Sequence, residues 1–92
     1  MSQKRLRVKI LGRVQGVFYR SFVQKAALTL NLIGWVRNEA DGSVALVAEG
    51  EKKNLQDFLK ILKEGPDSAT VGDLKIKWEK PKAEFEKFEI KY

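Results

Sequence analysis

Leu6, Val8 and Ile10 alternate with Arg7 and Lys9, which predicts a strand with one apolar and one polar face. From Ser21 the period changes. Phe22, Ala26 and Leu30, and beside them Val23 and Ala27, recur at four-residue spacing, the signature of an amphipathic helix. Asn31 stands where that helix should close, and asparagine tolerates the left-handed backbone that ends many helices. Ile33 to Asn38 reads as a second strand, with Trp35 a β-favouring aromatic. Asp41-Gly42 predicts a hairpin turn, because glycine supplies the positive φ. Val44, Leu46 and Ala48 then alternate on a third strand. Leu55, Phe58, Leu59 and Leu62 fall at i, i+3, i+4 and i+7, a second helical stripe that Gly65-Pro66 stops. Leu74, Ile76 and Trp78 alternate with Lys75 and Lys77 as far as Pro81, and Phe88, Ile90 and Tyr92 alternate with Glu89 and Lys91.

The order strand, helix, strand, strand, helix, strand, with one apolar stripe per helix, defines an α+β fold. The simplest packing lays both helices on one face of a mixed, mainly antiparallel sheet, the ferredoxin-like split βαβ sandwich. The opposite face is expected to carry Arg5, Arg7 and Lys9 to water. No linker, repeat or low-complexity segment divides the chain, so residues 1–92 are expected to form a single domain.

Composition narrows the chemistry by what it lacks. Without cysteine there is no disulfide, thiolate nucleophile or Cys-type metal site. Without histidine, the commonest acid/base near neutral pH and the commonest transition-metal ligand are both missing. No metal and no cofactor are therefore expected, and catalysis is left to amide dipoles, arginine, asparagine, carboxylates, lysine or hydroxyls. A net charge of +6 favours an anionic partner, although the charge is spread rather than blocked. No apolar run approaches the roughly 18–20 residues of a membrane span. The basic start Met1 to Arg7 has no apolar segment behind it, so a cytoplasmic protein with no membrane partner is expected.

The junction between the first strand and the first helix breaks a local rule. Gly12-Arg13-Val14-Gln15-Gly16-Val17-Phe18-Tyr19-Arg20 ends on a cation where a helix should begin. The macrodipole favours anions there by about 0.3–1 kcal/mol. Backbone N–H groups, a glycine and a guanidinium at one junction suit a tetrahedral oxyanion, phosphate above all. Taken alone, the segment reads more simply as a tight turn followed by a surface arginine, because strand-to-helix loops with one glycine are common. The Lys and Ser/Thr of a full phosphate-loop signature are absent, which argues against a nucleotide triphosphatase. Downstream, Gly34-Trp35-Val36-Arg37-Asn38 is followed by Gly42, Val44 and Gly50. By themselves Asn38, Asp41 and Gly42 read as turn residues, and Trp35 and Trp78 as core or sheet-face packing.

Together the two segments resemble the signatures of the acylphosphatase family. Gly12 to Arg20 is similar to its first, a Gly-x-Val-Gln-Gly-Val loop followed by two residues and an arginine. Gly34 to Gly50 is similar to its second, Gly-aromatic-Val-basic-Asn, then Gly-x-Val and a later glycine. The resemblance covers essentially the whole chain. It implies catalytic roles for Arg20 and Asn38, and phosphate binding by the amides of Gln15, Gly16, Val17, Phe18, Tyr19 and Arg20. Tyr19 stands where the family more often has phenylalanine, and Phe18 where it commonly has a small residue.

The implied reaction is metal-independent hydrolysis of a small-molecule acyl phosphate to a carboxylate and inorganic phosphate, the latter a product and an expected inhibitor. The leaving group is the anion of an acid of pKa about 4, so it needs no proton donor at neutral pH. That fits a site without histidine. Lysine-rich sheet edges discourage strand pairing, and a monomer is expected. The competing reading is a ferredoxin-like nucleic-acid-binding module, since RNA-recognition domains share this element order. Those domains stack bases on aromatics of the central strands. The first and third strands here offer Leu6, Val8, Ile10, Val44, Leu46 and Ala48 instead, so no nucleic-acid partner is expected.

Overall fold

The computed structural model describes residues 3–16 and 18–92. Along the described chain run β1 (Gln3–Arg13), α1 (Tyr19–Thr29), β2 (Ile33–Asn38), β3 (Val44–Glu51), α2 (Lys52–Glu64), β4 (Thr70–Glu79) and β5 (Phe88–Lys91). The strands form one sheet in the order β4-β1-β3-β2-β5. β3 pairs antiparallel with both β1 and β2, β4 pairs antiparallel with β1, and β5 runs parallel to β2 at the far edge. Each βαβ unit is therefore split by a strand of the other: β3 lies between β1 and β2, and β1 between β3 and β4. This is the ferredoxin-like α+β sandwich, with a single parallel pair.

Register explains which residues the helices cover. Leu6, Val8 and Ile10 stand opposite Ala48, Leu46 and Val44, so the two alternations point to one face. That face is sealed by Val23 and Ala27 of α1 and by Leu55, Phe58 and Leu62 of α2, in one continuous core with Val36 and Phe88. Phe58 meets Phe88 edge-on, with ring centroids 6.3 Å apart. β4 is the exception. Its Leu74, Ile76 and Trp78 face the same way, opposite Ile10, Val8 and Leu6. As an edge strand β4 is only partly roofed, and Ile76 and Trp78 remain exposed.

The predicted stops are present. Asn31 takes a left-handed φ of 56°, and Leu32 N–H returns to the Ala27 carbonyl at 2.9 Å. Gly65 closes α2 by donating to the Ile61 carbonyl at 2.9 Å. The start of α1 differs from the sequence pattern. The helix begins at Tyr19 rather than Ser21, with Phe18 at its N-cap in a left-handed conformation.

The outer face of the sheet corrects one expectation. Arg7 is exposed, but Arg5 is buried, with 3% of its surface accessible. Because β4 and β5 occupy opposite edges, the segment 80–87 must cross the sheet, and it does so over Arg5. The Glu49 carboxylate accepts hydrogen bonds from the Lys82 and Ala83 N–H groups, at 2.9 and 3.2 Å. The Phe85 ring lies 5.2 Å from the Arg5 guanidinium carbon. An alternating strand of arginine and lysine does not reveal such a strap, whose partners lie far along the chain. Gly34 on β2 has a steric reason of its own: a side chain there would overlap the Val47 carbonyl oxygen of β3.

Candidate active site

Two chain turns meet at one end of the sheet. The first leads from β1 into α1 through residues 14–18; the second is the β2–β3 hairpin, which Asn38 enters. Gly16 has a φ of +71°, and among the described residues, its chain neighbours apart, nothing lies within 4 Å of where its Cβ would stand. Glycine is suited here because of its backbone angle and because the space beside it stays open. No side chain caps the N-terminus of α1, and no acidic residue stands in its first turn. The first N–H groups of a helix lack intrahelical partners, so this end is available to an anion.

The Gln15 side chain ties the two turns together. Its Nε2 donates to the carbonyls of Glu39 at 2.7 Å and Ser43 at 2.8 Å. Those residues close the hairpin themselves, since Glu39 N–H donates to the Ser43 carbonyl at 2.8 Å. Asp41 stiffens the tip by accepting from Ser43 N–H and Oγ, at 3.0 and 2.6 Å. The Lys9 ammonium, 2.7 Å from Asp41, and the Ser43 hydroxyl hold the Asp41 carboxyl well below the usual carboxylate range.

A cavity of about 360 Å3 opens between the turns, lined among others by Gly16, Phe18, Arg20, Asn38, Ile90 and Tyr92. The Arg20 guanidinium is held by the Lys91 carbonyl at 3.3 Å from Nη1 and by the Tyr92 ring at 4.7 Å. Among the described residues no side-chain carboxylate pairs with it, which leaves its charge for a ligand. Asn38 Oδ1 is buried and, among the described residues, has no hydrogen-bond partner. An orphaned acceptor beside a cavity calls for a donor from outside the protein, such as a water molecule.

The structure thus brings Arg20 and Asn38 to one cavity, with Gly16, Phe18 and Tyr19 also in its wall. Gln15 stands just behind, its side chain turned to the hairpin. Val17 lies outside the described residues. Tyr19 sends its ring into the core, where the hydroxyl donates to the Leu62 carbonyl at 2.8 Å and burial pushes its pKa up. Ile90, Tyr92 and the tying role of Gln15 escape a sequence reading. The alternation marks β5 as a strand without saying that it lies beside β2. A larger cavity of about 560 Å3 lies beneath the strap, where Glu84, Glu86 and Glu89 stand beside Lys87 and Lys91, so it offers a phosphate no excess of positive charge and neither Arg20 nor Asn38. Among the described residues no group of three or more His, Cys, Asp or Glu is arranged to hold a metal ion.

Comparison with known proteins agrees with the fold and with the family that the two segments resemble. The family model described as Acylphosphatase matches residues 6–90. An acylphosphatase of Syntrophotalea carbinolica is 45% identical over 92 residues, all of both chains. One from Oceanobacillus iheyensis is 44% identical over 97% of this chain and 99% of its own. The crystal structure of acylphosphatase from Bacillus subtilis superposes with a TM-score of 0.93 at 37% identity, covering 97% of this chain and 99% of that one. The chain belongs to the acylphosphatase family.

Proposed function

We propose that this protein hydrolyses small-molecule acyl phosphates as a metal- and cofactor-independent acylphosphatase. In this reading, backbone amides of residues 15–20 and the α1 N-terminus bind the phosphoryl oxygens. Arg20 adds a permanently charged, planar fork able to engage two of them. These groups stabilise the charge spread over the equatorial oxygens during in-line transfer. Asn38 orients the attacking water through Oδ1; a carboxamide is too weak a base to deprotonate it, so its contribution is positional. The water oxygen bonds to phosphorus as the bond from phosphorus to the acyl oxygen breaks. The bonding pair leaves on the carboxylate, and the water's protons pass to phosphate and solvent.

The observation that carries this reading is the shared cavity, in which, among the described residues, a buried Asn38 Oδ1 without a hydrogen-bond partner and an Arg20 free of side-chain carboxylates sit together. The nucleic-acid reading draws no comparable support. The strap crosses part of the outer sheet face, and the Trp35 ring there is already taken by Arg37 and Lys91, at 4.6 and 5.2 Å. We further infer a single domain over residues 1–92, acting as a monomer in the cytoplasm, with inorganic phosphate as a competitive inhibitor. Among the described residues no helix is long and apolar enough to cross a membrane.

The test is hydrolysis of benzoyl phosphate with a chelator present. Turnover that survives chelation, is inhibited by inorganic phosphate and far exceeds that of p-nitrophenyl phosphate is expected. Absence of turnover, or its loss on chelation, would overturn the proposal.

A further inference from the structure

Single apolar side chains on a surface need no explanation, but clustered ones do. Among the described residues the two most exposed large hydrophobics are Phe18, at 84%, and Tyr92, at 99%. Both line the cavity that holds Arg20 and Asn38. Phe18 carries a second cost. Its φ of 60° and ψ of 22° are left-handed, a region that a bulky residue adopts against its steric preference. A glycine there would adopt that angle freely and expose no ring. A phenyl group that is both strained and solvated, at the mouth of a catalytic cavity, is better explained by contact with a ligand than by packing.

The phosphoryl group is the same in every acyl phosphate, so amides and a guanidinium directed at it cannot tell one substrate from another. Discrimination has to come from the acyl side. We propose that Phe18 is a specificity-determining residue, whose ring, with Ile90 and Tyr92, forms an apolar subsite that selects acyl phosphates with aromatic or bulky apolar acyl groups over small ones. This rests on the acyl-phosphate reading of the site. An aromatic acyl group meeting the Phe18 ring offset or edge-on gains a contact that an acetyl group cannot make, worth about two- to tenfold in binding.

The experiment compares kcat/KM for benzoyl phosphate and acetyl phosphate in the wild type, Phe18→Ala, Phe18→Leu and Phe18→Tyr. Alanine keeps a Cβ and hence the backbone strain, and the ratio between substrates cancels any loss common to both. In Phe18→Ala the benzoyl-over-acetyl ratio is expected to fall about fivefold, mainly through KM for benzoyl phosphate. Phe18→Tyr should restore the ratio, and Phe18→Leu should give an intermediate one if the alanine variant does not fold. A ratio within twofold of wild type in Phe18→Ala, or in Phe18→Leu where alanine fails to fold, overturns the subsite while leaving the acylphosphatase reading intact. A wild type that hydrolyses neither substrate overturns both.

Discussion

The Arg5 guanidinium meets the Glu49 carboxylate at 2.9 Å on the outer face of the sheet, with both side chains almost fully buried. β1 and β3 place them directly opposite each other, and the strap 80–87 roofs them. Glu79 and Glu84 also reach the guanidinium, at 3.2 and 2.8 Å. This cluster fastens the crossing segment that delivers β5, and with it Ile90 and Tyr92, to the end of the sheet where Arg20 and Asn38 share a cavity. Removing one partner of a buried pair leaves an uncompensated charge, which costs about 3–5 kcal/mol. Arg5→Met is expected to destabilise by that order, read from chemical denaturation.

The pair also sets a pH dependence. Burial opposes ionisation of Glu49, but hydrogen bonds from Lys82 N–H, Arg5 and Ala83 N–H outweigh it and hold the carboxyl below its ordinary value. A folded pKa below the unfolded one adds stability that is fully present above about pH 4.3, the unfolded value, and is lost as pH falls through the folded one. Stability measured between pH 7 and pH 2 should therefore show the gap between wild type and Arg5→Met narrowing only on the acid side. A gap constant across that range would mean that the carboxylate is not what the arginine holds.

Tyr19 links the two helices. Its hydroxyl serves a carbonyl in the last turn of α2, where intrahelical donors have run out. Tyr19→Phe leaves the buried Leu62 carbonyl without that donor, a loss of about 1–3 kcal/mol. For a domain of this size each kcal/mol lowers Tm by about 4–8 °C. Calorimetry should find a drop of at least a few degrees. An unchanged Tm would show that water replaces the hydroxyl.

What the sequence discloses here follows the range of the interactions involved. Arg20 sits in one contiguous motif and Asn38 in another, and the strands on either side of α1 are marked by alternation, so the fold and the proposed catalytic pair are legible together. Arg5 is not. Its partners Glu49 and Glu84 lie 44 and 79 residues away, and nothing local distinguishes it from Arg7, which stays exposed. Ile90 and Tyr92 are hidden for a related reason, since alternation defines a strand but not its neighbour. The left-handed Phe18 escapes because the helical period first becomes visible a turn later, at Phe22.

Gln15 is expected to act through geometry. Gln15→Leu deletes two hydrogen bonds between the loop and the hairpin, each worth about 0.5–1.5 kcal/mol net. The loop amides remain, but Asn38 loses its fixed relation to them, and a shift near 1 Å in a reacting geometry costs up to about 10²-fold. Steady-state kinetics should show kcat falling by tenfold or more while phosphate inhibition weakens less, on that same geometric scale. A lower Tm with unchanged kcat would reduce the tie to a structural one.

Arg20→Ala should remove the fixed charge from both ground and transition states. Loss of phosphate inhibition is expected, with kcat/KM falling on the order of 10³-fold or more, as for other arginines that stabilise phosphoryl transfer. Arg20→Lys should not recover it, because an ammonium lacks the planar fork and cannot stack on the Tyr92 ring in the same way. Substantial activity in the lysine variant would mean that charge alone suffices.

Asn38→Ala separates water positioning from phosphate binding. The phosphoryl ligands in the proposed mechanism are the loop amides and Arg20, and none of them is altered. The Oδ1 acceptor disappears from the cavity wall, so the attacking water loses its anchor opposite the leaving carboxylate. The interaction is made in reaching the transition state rather than in holding the product. kcat with benzoyl phosphate should thus fall on the order of 10²-fold or more, while the inhibition constant for inorganic phosphate stays within a few-fold of wild type. Equal losses in both would place Asn38 among the phosphate ligands. Near-normal kcat would remove it from the mechanism, and the orphaned carbonyl oxygen would need another explanation.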